Sequence, residues 1–454
     1  MIDLVLITGI IVPDALADHE YSSPWMYSVP IASLYDRFSS EYNVKILIPD
    51  ILKRDYDIPE ARVYAMSMYY SEIIEARKII NKIKEKYPNS AVVVGGYYAT
   101  FFPDDLKKYI PNVDHAICGD GISEISDILK EHEIQNLHTV ENRERNVTAS
   151  SVLDKNAYLF LDWEKIENNL YCDLDSKWVT TAEGCLYSCS FCTNKMIKGT
   201  TYREIDPIIN DINKYLQHNP ESRINFTEPL FSARTKFHRQ YIKNLLDRVY
   251  NETNIAKKNE IGIFCRISDF DDEFISILSK YKDKFVFAIY TGIDNLNDEI
   301  LTDMKKCETK ESIFAYMEKI SKLDFISSLC TNIIIGTPKD SEEKFFENLE
   351  NTKKIYSLYR DSSVRLKITS TVLWLLPGSQ YYAEKEKYPE IFIQSNNIDD
   401  FIQMVPVDDC LQMNIGMNTD RFKKYYEYRN IFNDEIRPIR RELDVLRAAR
   451  AKKD

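Results

Sequence analysis

The chain has 454 residues, 44% hydrophobic and 29% charged, the balance of a globular protein too long for one ordinary core. Its formal net charge of −12 disfavours general binding to a phosphate backbone. No apolar run is long enough to span a bilayer.

The first segment, Met1-Ile2-Asp3-Leu4-Val5-Leu6-Ile7-Thr8-Gly9, is apolar without a basic flank or a small-residue cleavage site, so it reads as a first strand. Four further short apolar runs follow, at Val44–Ile48, Val63–Ser67, Ala91–Val94 and His115–Cys118. Helical periodicity lies between them, clearest over Ile73–Tyr87. Such alternation predicts a doubly wound parallel sheet of five strands over residues 1–130. Gly95-Gly96 directly follows the fourth run, where backbone must approach a ligand or a packed helix. Residues 131–170 carry mixed charge without a sustained period and read as a linker.

A second alternation starts at Lys177. Its strand runs are Lys177–Ala182, Arg223–Phe226, Ile261–Arg266, Phe285–Thr291, Thr331–Ile335 and Val364–Val372. Helical patterns intervene at Pro207–Leu216, Glu273–Lys280, Ser312–Leu323 and Glu342–Leu358. Six β/α units over residues 171–390 are fewer than the eight of a closed barrel, and chemistry in such folds sits at the carboxyl ends of the strands. Residues 391–454 show no strand pattern and read as a helical cap.

After the first strand of this second set comes Gly184-Cys185-Leu186-Tyr187-Ser188-Cys189-Ser190-Phe191-Cys192, with cysteines at C-x3-C-x2-C spacing. Four thiolates would close a zinc site or fully ligate an iron–sulfur cluster. A zinc knuckle needs a fourth nearby Cys or His, yet no histidine lies between His138 and His218 and Cys172 is thirteen residues upstream. The remaining cysteines are scattered, which fits a reducing cytoplasm.

The cysteine stretch, with its aromatic before the last thiol, resembles the signature of radical S-adenosylmethionine (SAM) enzymes. That resemblance implies a partial (β/α)6 barrel and a [4Fe–4S] cluster on Cys185, Cys189 and Cys192. It also implies SAM on the iron left without a protein ligand, and reductive cleavage to a 5′-deoxyadenosyl radical. Phe191 would then lie beside the adenine. Thr227-Glu228-Pro229-Leu230 resembles the family's G-G-E-P element and makes Glu228 the candidate for the SAM ammonium. Arg266 and Ser268 end the third strand, and a guanidinium there suits the SAM carboxylate. Ile333-Ile334-Ile335-Gly336-Thr337-Pro338 resembles the element that packs on adenine, which makes Gly336 a cofactor-binding candidate. Tyr290-Thr291-Gly292-Ile293-Asp294 and Trp374-Leu375-Leu376-Pro377-Gly378-Ser379 resemble further strand-end segments of the family.

Val92 to Pro103, with Val113-Asp114 and Cys118-Gly119-Asp120-Gly121, looks like the cobalamin-binding domain that precedes many of these barrels. Ser67, Gly95 and Gly96 are its candidate cofactor contacts. The D-x-H-x-x-G cobalt-ligand motif is absent, and Tyr69, Tyr70, Tyr97 and Tyr98 are bulky for strand ends that admit a nucleotide tail. Methylthiotransferases share the barrel but place three cluster cysteines in their first domain, where this chain has only Cys118 before the linker.

The resemblance therefore implies hydrogen abstraction from a small-molecule or peptide substrate, with cobalamin-dependent methylation of an unactivated carbon as one outcome. Cobalamin-free crosslinking, rearrangement or cleavage is the other. An electron donor such as flavodoxin or ferredoxin is implied as partner, in the cytoplasm. The competing class is a non-catalytic metal or electron-transfer module. No single residue is assigned as catalytic.

Overall fold

Most strands predicted from apolar runs recur, with shifted ends, in a computed structural model of the chain. It describes residues 2–7, 34, 35, 37–47, 57–118, 121–131, 158, 159, 176–197, 199–218, 223–256, 258–407 and 410–451. Thr8, Ile48, Gly119, Asp120 and most of the predicted linker lie outside the described residues. The chain divides into two units, residues 1–178 with 410–413, and residues 179–409 with 414–454.

In the first unit, β1 (Ile2–Ile7), β2 (Val44–Leu47), β3 (Ala61–Ser67), β4 (Ala91–Gly95) and β5 (His115–Ala116) form a parallel sheet. A sixth strand, β6 (Tyr158–Leu159), joins beside β2, giving the order β5-β4-β3-β1-β2-β6. The expected five-strand sheet thus gains a strand from the segment read as linker. Two residues are too short to show a period. Helix α1 (Ile73–Lys86) buries Ile73, Ala76, Ile79, Ile80 and Ile83, the spacing of one helical face.

A second sheet is built on β7 (Ser176–Val179), β10 (Arg223–Phe226), β11 (Asn259–Cys265), β12 (Phe285–Asp294), β13 (Ile326–Ile335) and β14 (Arg365–Val372), of which β10 to β14 lie wholly in the second unit. Their order in the sheet is their order in the chain, and β10 to β14 pair in parallel. These are the six strands that the alternation predicts, in the partial-barrel arrangement that the resemblance implies. The register sets Phe264, Tyr290, Cys330 and Lys367 in one row across β11 to β14. Each of these four is half-buried while its chain neighbours are buried, so the row shares the more open face. The first expected strand, Lys177–Ala182, is broken. After β7 the chain re-forms as β8 (Ala182–Glu183), which pairs antiparallel with β9 (Thr201–Tyr202).

The carboxyl-terminal region is not purely helical. Strands β15 (Ile402–Val407) and β16 (Cys410–Ile415) precede a helix over Thr419–Ala451. Pro406 within β15 masks its strand character, because proline cannot donate to a ladder. No helix among the described residues is long and apolar enough to cross a membrane.

Candidate active site

The antiparallel pair β8–β9 forms the neck of the cysteine loop, with Glu183 opposite Thr201. Gly184 opens the loop at φ +86°, and a Cβ there would lie 2.0 Å from the Gly199 carbonyl oxygen. Only glycine satisfies both demands. Within the loop the Cys192 amide donates to the Cys189 carbonyl at 3.1 Å, and the Asn194 amide reaches Cys192 Sγ at 3.5 Å.

The loop is held from two other parts of the unit. The Ser190 amide donates to Met304 O at 3.0 Å, and Ser190 Oγ donates to Asp303 O at 2.8 Å. The Tyr381 amide donates to Ser190 O at 3.0 Å, while Tyr381 Oη donates to Asp303 Oδ2 at 2.6 Å. Cys185, Cys189 and Cys192 are half-buried free thiols.

Burial pushes the Cys189 and Cys192 thiols up, Cys192 to about 11, and the other loop thiols add to the Cys192 shift. Lys306 and Arg266 work against this at Cys189 by favouring its thiolate. Among the described residues no three His, Cys, Asp or Glu side chains are gathered as around a single metal ion. Three soft sulfur donors on one anchored loop fit a larger group that needs only three protein thiolates.

Behind the loop lies a set of buried charges. Arg266 Nε donates to Glu308 Oε1 at 2.9 Å, and its guanidinium stands over the Tyr187 ring. Lys306 Nζ is 2.7 Å from Asp294 Oδ2, 3.7 Å from Glu308 Oε2, and donates to Gly292 O at 3.0 Å. Burial opposes the Lys306 charge, but Asp294 and Glu308 outweigh it and hold its pKa above the ordinary lysine value. Tyr187 Oη donates to Asp269 Oδ1 at 3.0 Å, and Asp269 is fully buried beside Ser232 and Arg234.

Residues 179–351 match the family model of the Radical SAM superfamily. This segment is a radical SAM domain. The chain is 24% identical over 289 residues to the threonylcarbamoyladenosine tRNA methylthiotransferase MtaB of Aquifex aeolicus, covering 62% of this chain and 64% of that protein. It is 26% identical over 271 residues to the ribosomal protein uS12 methylthiotransferase RimO of Caldicellulosiruptor saccharolyticus, covering 58% and 57%. The chain therefore spans only about three-fifths of these curated relatives' lengths. In fold it resembles the cobalamin-dependent SAM radical enzyme OxsB with aqua-cobalamin and SAM bound. That likeness has a TM-score of 0.57 at 13% identity and covers 96% of this chain and 67% of that one.

Of the remaining candidates, Phe191 lies in the cysteine loop itself, and Glu228, Ser268 and Gly336 follow β10, β11 and β13. Phe191 is half-buried, as is Ser268 in the turn Ile267–Asp269. Glu228 follows β10 and is only 1% exposed. Thr181 Oγ1 donates to its Oε2 at 2.5 Å, whereas its Oε1 has no hydrogen-bond partner. His238 Nε2 is 3.5 Å from that oxygen but donates at 2.9 Å to Phe231 O, while Tyr202 Oη bonds Nδ1 at 2.9 Å. Burial lowers the His238 pKa, so the imidazole is neutral and the contact is not an ion pair. Burial pushes Glu228 up to about 7. Gly336, at φ +83°, has its amide bonded to Asp340 Oδ2 at 2.7 Å, and a Cβ there would lie 2.8 Å from Met417 Cε.

Ser67, Gly95 and Gly96 meet in the first unit, at the ends of β3 and β4. A Cβ on Gly96 would lie 2.5 Å from Ser67 Oγ, so this glycine serves a close chain-to-chain approach. Tyr69 stacks on Tyr97 at 6.2 Å and Tyr70 tilts against Tyr98 at 5.2 Å. These rings stand at the strand ends where the resemblance places a nucleotide tail.

Lys306, Glu308 and Asp269 were not legible as site residues. Lys305-Lys306-Cys307-Glu308 reads as a solvated charged turn, and only packing against the cysteine loop reveals its burial.

Proposed function

We propose that this chain takes hydrogen from a small-molecule or peptide substrate at the carboxyl ends of its second sheet. The observation that carries the reading is the anchored loop of three free thiols, backed by buried cations. When bound, a [4Fe–4S] cluster and SAM supply the electron transfer and the 5′-deoxyadenosyl radical. Cys185, Cys189 and Cys192 would hold the cluster. Glu228, with one buried carboxylate oxygen unsatisfied, is suited to an ammonium group. Arg266 and Ser268 are the candidates for the SAM carboxylate, and Phe191 and Gly336 for the adenine.

A cobalamin-dependent reaction is the reading supported by the likeness to OxsB across 96% of the chain, and methylation of an unactivated carbon is its proposed outcome. The bulk of Tyr69, Tyr70, Tyr97 and Tyr98 at the strand ends keeps the cobalamin-free alternative of crosslinking, rearrangement or cleavage as the second reading, and no step is derived through cobalamin. Methylthio transfer, the activity of the curated relatives, is not favoured. Residues 1–178 contain only Cys118 and Cys172, too few for a second three-thiolate site.

The test is anaerobic purification of the full chain, with iron and cobalt analysis, an ultraviolet–visible spectrum and a 5′-deoxyadenosine assay under dithionite. The reading expects iron, sulfide and SAM cleavage, all lost when the three loop cysteines become alanine. A triple variant that still cleaves SAM overturns the site. Cobalt retained on the protein selects the cobalamin-dependent reading, and its absence after incubation with cobalamin selects the alternative.

A further inference from the structure

Arg266, Asp294, Lys306 and Glu308 are each more than nine-tenths buried, at 5%, 6%, 4% and 7% exposure. Burying ion pairs gives little net stability, because desolvation consumes the Coulombic gain. The pairs are also incompletely satisfied. One terminal nitrogen of Arg266 and Glu308 Oε2 have no hydrogen-bond partner. Buried groups left in that state call for a reason other than stability.

Their placement supplies one. Lys306 and Glu308 lie on the turn whose start, Asp303 and Met304, anchors Ser190 between two of the cluster cysteines. Arg266 stacks on Tyr187, the residue midway between Cys185 and Cys189. The supporting backbone is shaped for this arrangement. Asp294 adopts φ +55°, and a side chain on Gly292 would strike it, since a Cβ there would lie 2.6 Å from Asp294 Oδ1. The carboxylate is thereby folded back onto the Lys306 ammonium.

We propose that Lys306 and Arg266 set the reduction potential of the cluster held by Cys185, Cys189 and Cys192, with Asp294 and Glu308 as the counter-charges that hold them in place. This rests on the proposed function. Reduction adds one electron from the donor protein, with no bond made or broken. A fixed cation inside a low-dielectric site stabilises that added negative charge, and a fixed carboxylate opposes it. Lys306 and Arg266 are thus positioning residues for the electron.

The experiment is a mediator titration of the anaerobically reconstituted full chain, followed by electron paramagnetic resonance. Lys306→Met is expected to lower the reduced-to-oxidised ratio at fixed solution potential by tenfold or more, which is 59 mV for a one-electron couple. Asp294→Asn is expected to move it the other way, and Lys306→Arg to restore it. Opposite signs at two partners of one ion pair do not arise from a loosened structure. If Lys306→Met fails to take up iron, Asp294→Asn decides alone. Asparagine tolerates the left-handed backbone and still accepts from Lys306. An Asp294→Asn potential that is unmoved or lowered overturns this inference only. Absence of any iron–sulfur signal in the unsubstituted chain overturns the proposed function with it.

Discussion

The guanidinium carbon of Arg266 stands 3.8 Å from the centroid of the Tyr187 ring, and the hydroxyl of that ring donates to buried Asp269. The aromatic inside the cysteine loop is thus gripped on its face and at its edge. A guanidinium so placed does more than meet a ligand. It fixes the segment between Cys185 and Cys189 to the end of β11.

Removing the two grips is expected to cost different amounts. Tyr187→Phe loses one hydrogen bond to a charged partner, about 1.5–3 kcal/mol. Arg266→Met strands the Glu308 carboxylate in the interior, which costs about 3–5 kcal/mol. Denaturant unfolding of both variants checks the ranking, and a milder effect from Arg266→Met would contradict it.

Gly184→Ala is expected to abolish iron uptake while leaving the strands in place. The added methyl meets the Gly199 carbonyl, a rigid backbone atom, and the residue must hold φ +86° as well. Iron content after reconstitution, read beside far-ultraviolet circular dichroism, separates loop damage from unfolding.

Glu228 predicts a pH dependence. Its folded pKa, raised by burial to about 7 from a reference near 4.5, means the folded state favours the protonated acid. Its contribution is fully present below pH 4.5 and is lost as pH rises through 7, a difference of about 3 kcal/mol by linkage. Glu228→Gln is expected to flatten that part of the stability profile. Chemical unfolding between pH 4.5 and 8 measures it, and an unchanged slope in the variant would refute the assignment.

In the first unit, Gly96→Ala is expected to destabilise by more than about 1 kcal/mol, through a left-handed backbone and contact with Ser67 Oγ and Met68 N. Adding Ser67→Ala removes only one obstacle and is expected to recover part of the loss. Amide hydrogen exchange in β3 and β4 reports it.

Ser341→Ala removes the hydroxyl that accepts from the Lys344 amide at the start of the helix Glu342–Leu358. The expected cost is about 1 kcal/mol. A thermal midpoint unchanged within error would contradict it.

The sheets were readable because their strands are short apolar runs bounded by turns. Arg223–Phe226 and the helix Glu342–Leu358 fall where the pattern put them. β13 begins earlier than its apolar core, at Ile326, because Ser327 and Ser328 carry no strand signal and are recruited by pairing along β12 and β14. The split of the first barrel strand at Thr180–Thr181 was hidden for the opposite reason. Both residues favour extended structure, and only the change of partner, from β10 to β9, divides them.

At the candidate site, the cysteines and Arg266 stand out in the sequence by type and position. Lys306 and Glu308 do not, because a lysine or glutamate in a turn looks solvated until distant chain covers it. Gly336 shows a limit of another kind. A glycine after an apolar strand announces a close neighbour without naming it, and in this chain Met417 and Tyr425 are close.

Anchorage of Ser190 to Met304 and to Tyr381 also bears on timing during synthesis. The loop bearing the cysteines leaves the ribosome long before either residue that fastens it. Thiols on a nascent chain at that stage are a loose tether with no seat, open to oxidation and to stray metals. The fully fastened loop therefore exists only once the barrel's final strand and the turn beyond it have been made.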